Sequence, residues 1–271
     1  MPAQRSPEAV SERIVLEDLQ LSGQRVVLCG ASGTLGRAIA KKLADEGAQL
    51  ALLGRHPDVL YAVAASLPAS TGGGSHVVIE CDLSKQESID NAMDTIHQRF
   101  NGIDVFISAA GASQGGIFSE LDDRAWRNNL EVKLFGTLRI LRAVVMRMTE
   151  SRSGRIVLVA GHSAEKPDPR MLPGAVANAS LITIVRGLAE ELKAQGVSIN
   201  AVNPGPVRSS RLESLMNAEA ARSGLTPAQA QAAFLSRSGL RELIEPDDVA
   251  AHVAFFASSL SSHLTGTSIT L

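Results

Sequence analysis

The chain has 271 residues, is 45% hydrophobic and 20% charged, and carries a formal net charge of −2. That size and balance suit one large α/β domain with a full core, and they argue against attraction to nucleic acid or to an acidic membrane surface. Two cysteines, Cys29 and Cys81, cannot make a disulfide framework, and 3% aromatics cannot make a base-stacking surface, so a reduced, cytoplasmic protein is expected.

Residues 1–18 read as an N-terminal extension, either a short helix capped by Ser6 before Pro7 or a loosely ordered arm. It has no apolar core of the secretory kind, and no stretch approaches the ~20 apolar residues of a membrane span. From residue 19 the pattern is regular. RVVLCG is a β-rich run, TLGRAIAKKLADEG has helical spacing and stops at Gly47, and QLALLGR is a second apolar run. VLYAVAASL is helical, HVVIECDL is a strand, and Ser84 with Glu87 predicts a capping box for the helix SIDNAMDTIHQRF. GIDVFISAAG is the next strand, followed by one long helix over Asp123–Thr149. The strand GRIVLVAG, the helix LITIVRGLAEELKAQG and the strand GVSINAVNPG come next. Thr226, Pro227 and Gln229 open another helix, EPDDVAAHVAFFAS is the last helix and SITL the last strand. Strands alternating with helices predict one doubly wound α/β domain, residues 19–271, with a parallel sheet covered on both faces.

Chemistry enters at RVVLCGASGTLGRAIAKKL, where Gly30, Gly33 and Gly36 stand between a strand and a helix. Glycines there let the backbone approach a pyrophosphate, and the helix N-terminus offers free N–H groups and the positive end of its dipole. The second strand ends LLGRH, with Arg55 and no acid. A carboxylate at this point holds the ribose hydroxyls of NAD, whereas an arginine accommodates a 2′-phosphate, so NADP(H) is expected ahead of NAD(H).

With these motifs in this order, residues 19–271 resemble the short-chain dehydrogenase/reductases. CGASGTLG stands where that family has Thr-Gly-x-x-x-Gly-x-Gly, with Cys29 for the threonine and Thr34 for the middle glycine. The resemblance assigns the cofactor loop to Gly30, Ser32, Gly33, Thr34, Leu35 and Gly36, and an adenine contact to Asp82 and Leu83 in CDL. SAAG keeps Ala110 and Gly111 of the family's Asn-Asn-Ala-Gly, and NPGPVRS implies that Pro204, Gly205, Val207 and Ser209 border the nicotinamide. Residues 207–240 then form the segment over the substrate pocket, where Arg208 and Arg211 could meet an anion. The family's assemblies imply a homo-oligomer, dimer or tetramer, through the helices Trp126–Thr149 and Asn178–Gln195, or a hetero-oligomer with an active relative.

The resemblance also implies a mechanism that this chain does not carry in its usual form. In the family a tyrosine exchanges a proton with the substrate oxygen. A lysine cation lowers the phenol's pKa from ~10 and holds the ribose, a serine positions the carbonyl, and an asparagine completes a water relay. Aligned on GRIVLVAG, LITIVRGLAEEL and Trp126, the serine slot is Gly161, the tyrosine slot Gly174, the lysine slot Asn178 and the asparagine slot Lys133. The one tyrosine, Tyr61, lies after the second strand, far from these positions. Losing an acid–base group costs roughly 10²–10⁴ in rate, so the ordinary route is closed.

His162, Ser163 and Lys133 are the weak replacement candidates, and a solvated or ion-paired helix lysine is the blander reading of Lys133. His162 has an ordinary pKa near ~6.5 and suits acid–base work. A loop rebuilt after the site was abandoned is the blander reading of GHSAEKPDPRMLPG. GHSAE also resembles the start of a hydrolase G-x-S-x-G elbow, but Glu165 replaces its second glycine and Pro167, Pro169 and Pro173 forbid the helix that must follow at once. No metal-ligand cluster is predicted. Two functions follow: an NADP(H)-linked oxidoreductase (or a related lyase or isomerase) of unknown small-molecule substrate using non-standard groups, or a catalytically silent subunit.

Overall fold

The computed structural model describes residues 19–100, 102–111, 115–238 and 240–271. The extension over 1–18, and with it the expectation of a Ser6–Pro7 cap, lies outside the described residues. The strands are β1 (Arg25–Cys29), β2 (Gln49–Gly54), β3 (Val77–Glu80), β4 (Val105–Ser108), β5 (Gly154–Val159), β6 (Val197–Asn203) and β7 (Ser268–Thr270). They form one sheet in the order β3-β2-β1-β4-β5-β6-β7, each neighbouring pair parallel. The order reverses between β1 and β4, and such switch points open a crevice beyond the carboxyl ends of the strands.

Alternation along each strand builds two cores. From β1, Val27 and Cys29 point into one apolar cluster and Val26 and Leu28 into the other, all buried. The first cluster is covered by α3 (Gln86–Phe100), α5 (Thr137–Ser151) and α6 (Leu172–Ala194), the second by α1 (Thr34–Asp45), α2 (Pro57–Ala65) and α9 (Pro246–Ala257). Both faces of the sheet are thus dry, which is why its strands read as near-continuous apolar runs. Burying each such large side chain contributes about 1.5–3 kcal/mol. Gly47 ends α1 at φ +82°, as its position after the helical run predicts.

Four sequence expectations are corrected. The helix expected over Asp123–Thr149 is α4 (Asp123–Leu130), a six-residue π-helical turn (Glu131–Gly136) and then α5. A pattern of apolar spacing does not register one widened turn. The Ser84–Glu87 capping box does not form: Asp82 Oδ1 accepts both the backbone N–H of Ser84 (3.0 Å) and its hydroxyl (2.7 Å), and α3 starts at Gln86. The helix containing LITIV begins already at Leu172, because Pro173 is tolerated in a first turn. Finally, α6, with mean hydropathy 1.3 over its best window, is long and apolar enough to cross a membrane by composition. It is a core helix, however: Leu181, Ile182, Val185 and Leu192 are buried in the first cluster. The Thr226–Gln229 capping box does form, at 2.9 and 3.3 Å, and opens α8 (Pro227–Ser238).

Candidate cofactor and active site

A cleft of about 600 Å³ lies at the β1/β4 switch point. It is lined by Gly30, Ser32 and Gly33 from the first loop, by Gly54, Arg55 and His56 after β2, and by Cys81, Asp82, Leu83 and Ser84 after β3. Ala109, Ala110 and Gly111 after β4 close the other side. Eight of the expected cofactor positions therefore meet in one crevice: Gly30, Ser32, Gly33, Arg55, Asp82, Leu83, Ala110 and Gly111. Asn128, Glu131 and Val132 also line it. The motifs did not point to these three, although their spacing of three and four residues puts them on one helical face.

The loop is tight where it needs glycine. Gly30 sits at φ +79°, and a Cβ there would lie 2.8 Å from the backbone of Ala109 and Ala110. At Gly36 a Cβ would lie 2.1 Å from Gly30 O. Gly36 thus locks α1 against the first loop, from behind rather than inside the crevice. Gly33 is the N-cap of α1 and provides no side-chain bond to it, so the helix begins uncapped beside the cleft that Gly33 lines, an end that suits an anion. Thr34 and Leu35 lie in that first turn.

Charge is arranged around the crevice. Asp82 is held below the ordinary carboxylate pKa, chiefly by the Ser84 hydroxyl and also by Lys85 and Arg55. Arg55 is exposed and makes no hydrogen bond or ion pair with a described residue, which leaves its five donors for a ligand. Cys29 and Cys81, both buried and free, have thiol pKa values pushed up by desolvation, to about 11 for Cys81. They are wall, not nucleophiles.

Beyond Gly111 lie the four slots. Lys133 leaves the π-turn and crosses Gly111, where an added Cβ would lie 2.9–3.1 Å from the lysine's stem carbons. Its Nζ donates to Ala160 O at 2.9 Å, just past β5. The residue keeps a partly exposed surface, but its ammonium end is enclosed, and desolvation pushes its pKa down to about 8. Asn178, on α6, is buried at 6% exposure and donates from Nδ2 to Ser163 Oγ at 2.9 Å. A Cβ on Gly161 would lie 2.6 Å from that Nδ2, so the amide occupies the space a serine side chain there would need. Gly174 is buried in the first turns of α6. The phenol of Tyr61 is 64% exposed on α2, and it borders a separate shallow hollow with His76 and Arg99.

His162 opens a single 3-10 turn, and its backbone N–H donates to Pro204 O at 3.0 Å. Its pKa is lowered by burial and by Lys166, with Glu165 opposing. The loop it begins returns across the cleft end, where Gly116 N–H donates to Arg170 O at 2.9 Å. Pro204, Gly205, Val207 and Ser209 follow β6 beside this region, not in the lining of the 600 Å³ cleft. Ser209 Oγ accepts the Leu212 N–H at 3.2 Å and caps α7 (Ser210–Ser223). Val207 bridges to Ile244, and Arg208 pairs with Glu245 at 2.7 Å, so it is engaged rather than waiting for an anion. The Arg211 side chain lies outside the described residues. No cluster of three or more His, Cys, Asp or Glu able to hold a metal occurs among the described residues.

Comparison with known proteins finds relatives and solved structures of the same fold. The family model described as enoyl-(acyl carrier protein) reductase matches residues 30–271. The 3-oxoacyl-[acyl-carrier-protein] reductase FabG of Aquifex aeolicus is 28% identical over 249 residues, covering 92% of this chain and 96% of that protein. An uncharacterised oxidoreductase of Bacillus subtilis, YvaG, is 26% identical, covering 93% and 95%. Among solved structures, NAD+-bound xylitol dehydrogenase aligns with TM-score 0.85 at 23% identity, over 93% of this chain and 98% of that one. Actinorhodin polyketide ketoreductase with NADPH aligns with TM-score 0.83 at 23% identity, over 92% and 95%.

Proposed function

Since the chain belongs to the short-chain dehydrogenase/reductase family of NAD(P)-dependent oxidoreductases, we propose that it binds NADP(H) in the β1/β4 crevice and transfers hydride to or from a small carbonyl or alcohol compound. The observation that carries this reading is the cleft itself. An open helix N-terminus for the pyrophosphate, Asp82 and Leu83 on the adenine side and an uncommitted Arg55 at the end of β2 face one another across about 600 Å³. An arginine there suits the 2′-phosphate of NADP(H). Bound dinucleotide supplies the hydride; this chain's residues bind and orient it. Pro204, Gly205, Val207 and Ser209 would border its nicotinamide end.

A second reading is a catalytically silent subunit that binds nucleotide or a partner chain. It draws on Gly161, Gly174 and Asn178 standing where a serine, a tyrosine and a lysine would perform the chemistry. Under either reading the protein works in a reducing compartment, the cytoplasm, in keeping with two free buried thiols. It assembles through α4–α5 and α6, where Phe135, Met146 and Val176 are exposed.

Fluorescence titration with NADPH and NADH tests the proposal. Saturable NADPH binding is expected, weakened roughly tenfold by Arg55→Ala (about 1.4 kcal/mol, an exposed charge-assisted contact) while NADH binding is unchanged. Absence of binding to either nucleotide at millimolar concentration contradicts it.

A further inference from the structure

Two polar side chains at the end of the cleft are incompletely partnered. An ammonium carries three N–H donors. Lys133 gives one to Ala160 O, and no acceptor or carboxylate among the described residues takes the other two. On the other side of the Ala160–Gly161 link, Asn178 Oδ1 is buried without a donor. Turning the amide over exchanges the orphan but does not remove it. Ser163 Oγ would then donate to Oδ1, and Nδ2 would be left open. Buried polar groups are almost always paired, and an exception needs a reason.

The placement supplies one. Lys133 stands on a π-turn, a distortion frequent at functional sites. Its stem lies on Gly111, the last cleft residue contributed by the loop after β4, and its head reaches the end of β5. It thus occupies the position next after the cleft, beyond the carboxyl ends of the strands, where a substrate beside a bound dinucleotide belongs.

We propose that Lys133 is the proton donor of this site, doing with an ammonium what the family does with a phenol. This rests on the oxidoreductase reading above. As the substrate's carbonyl carbon accepts hydride from reduced nicotinamide dinucleotide, a C–H bond forms, the carbonyl π pair moves onto oxygen, and that pair takes a proton from Lys133 Nζ. One N–H bond breaks, one O–H bond forms, and the N–H electron pair stays on nitrogen. Water returns a proton to the neutral amine. A donor that releases its proton near neutrality is well matched to this work, and burial brings Lys133 to about 8. Other titratable groups stand on the elements around it. Glu131, on the same turn, is paired with Arg139 at 2.6 Å. His162, Glu165 and Lys166 lie on the loop after β5, and α6 presents only the uncharged Asn178.

The test is an NMR titration of protein labelled with 13C-lysine, read at Cε, with NADPH and with NADP+, alongside NADPH-dependent reduction of 2,3-butanedione. One lysine signal should have a midpoint near 8, and it should vanish in Lys133→Met and Lys133→Gln. With NADP+ its midpoint should fall by roughly half to one pH unit relative to NADPH, because the oxidised ring is a cation close to the amine. A lysine with a purely structural role away from the ring titrates identically with both nucleotides. Diketone reduction should fall at least ~100-fold in both variants. Identical midpoints with the two nucleotides, or reduction that survives in Lys133→Met and is lost in His162→Gln, overturns the proposal while leaving the oxidoreductase reading standing. If neither nucleotide shifts any lysine signal, the dinucleotide reading itself fails and the donor role falls with it.

Discussion

The enclosed ammonium of Lys133 makes a prediction about stability that needs no ligand. Its pKa in the folded chain is about 8, against an ordinary lysine value of 10.5. At about 1.4 kcal/mol per pH unit, that displacement corresponds to roughly 3 kcal/mol as an upper bound. The folded pKa is the lower one, so the sign is unusual. Below pH 8 both states hold the proton and the full cost of burying the charge is present. Between about 8 and 10.5 the unfolded chain keeps a proton the folded chain has released, so folding gains stability as pH rises. Lys133→Met removes both this cost and the bond to Ala160 O, which as a charge-assisted contact is worth about 1.5–3 kcal/mol. The two nearly cancel at pH 7, and the variant should lie within about 2 kcal/mol of the native protein. The difference between them should then move by up to about 3 kcal/mol in favour of the lysine by pH 10.5. Urea unfolding followed by Trp126 fluorescence at pH 7, 8, 9 and 10 measures it, with other titrating groups common to both chains. A difference that stays flat across this range refutes the enclosed, unpaired ammonium.

Three further outcomes follow from the geometry. Gly36→Ala, whose methyl would lie 2.1 Å from Gly30 O and 2.8 Å from Ala31 Cα, should destabilise by about 3 kcal/mol or more and abolish nucleotide binding; a melting temperature within a degree of native would contradict the packing of the loop. Gly161→Ser should cost about 1–3 kcal/mol, because its Cβ meets Asn178 Nδ2 at 2.6 Å, and pairing it with Asn178→Ala should recover most of that loss; additive losses would show that the two positions do not share one space. Cys29 and Cys81, buried with raised pKa values, should resist iodoacetamide at pH 8 and react fully in urea, and labelling of the native chain at the rate of a free thiol would contradict their burial.

The parallel sheet was legible because both of its faces are dry: continuous apolar runs such as QLALLG can only be interior strands. The tight turn between β1 and α1 was legible for a similar reason, since glycine at Gly30 and Gly36 is imposed by backbone contacts rather than chosen among alternatives. The reacting end was legible only as a set of absences. The sequence sets Gly161 and Asn178 in the slots where the family resemblance expects a serine and a lysine; it does not show that the amide of one fills the space beside the other. Lys133 looked like an ordinary solvated helix lysine because 3.6-residue spacing carries no sign of a π-turn, and its enclosure depends on Gly111 and Ala160, both remote in the chain. The Ser84–Glu87 box failed for the same kind of reason. A local motif was outcompeted by Asp82, two residues upstream and already bent toward the cleft.

A crystal structure of the protein grown with NADP+ tests the central claim most directly. The account predicts the pyrophosphate on the N-terminus of α1 at Gly33, the 2′-phosphate within hydrogen-bond distance of Arg55, the adenine beside Asp82 and Leu83, and the nicotinamide ring facing Lys133. Dinucleotide seated elsewhere, or an empty crevice at saturating NADP+, would contradict it and leave the chain as a silent member of an oxidoreductase family.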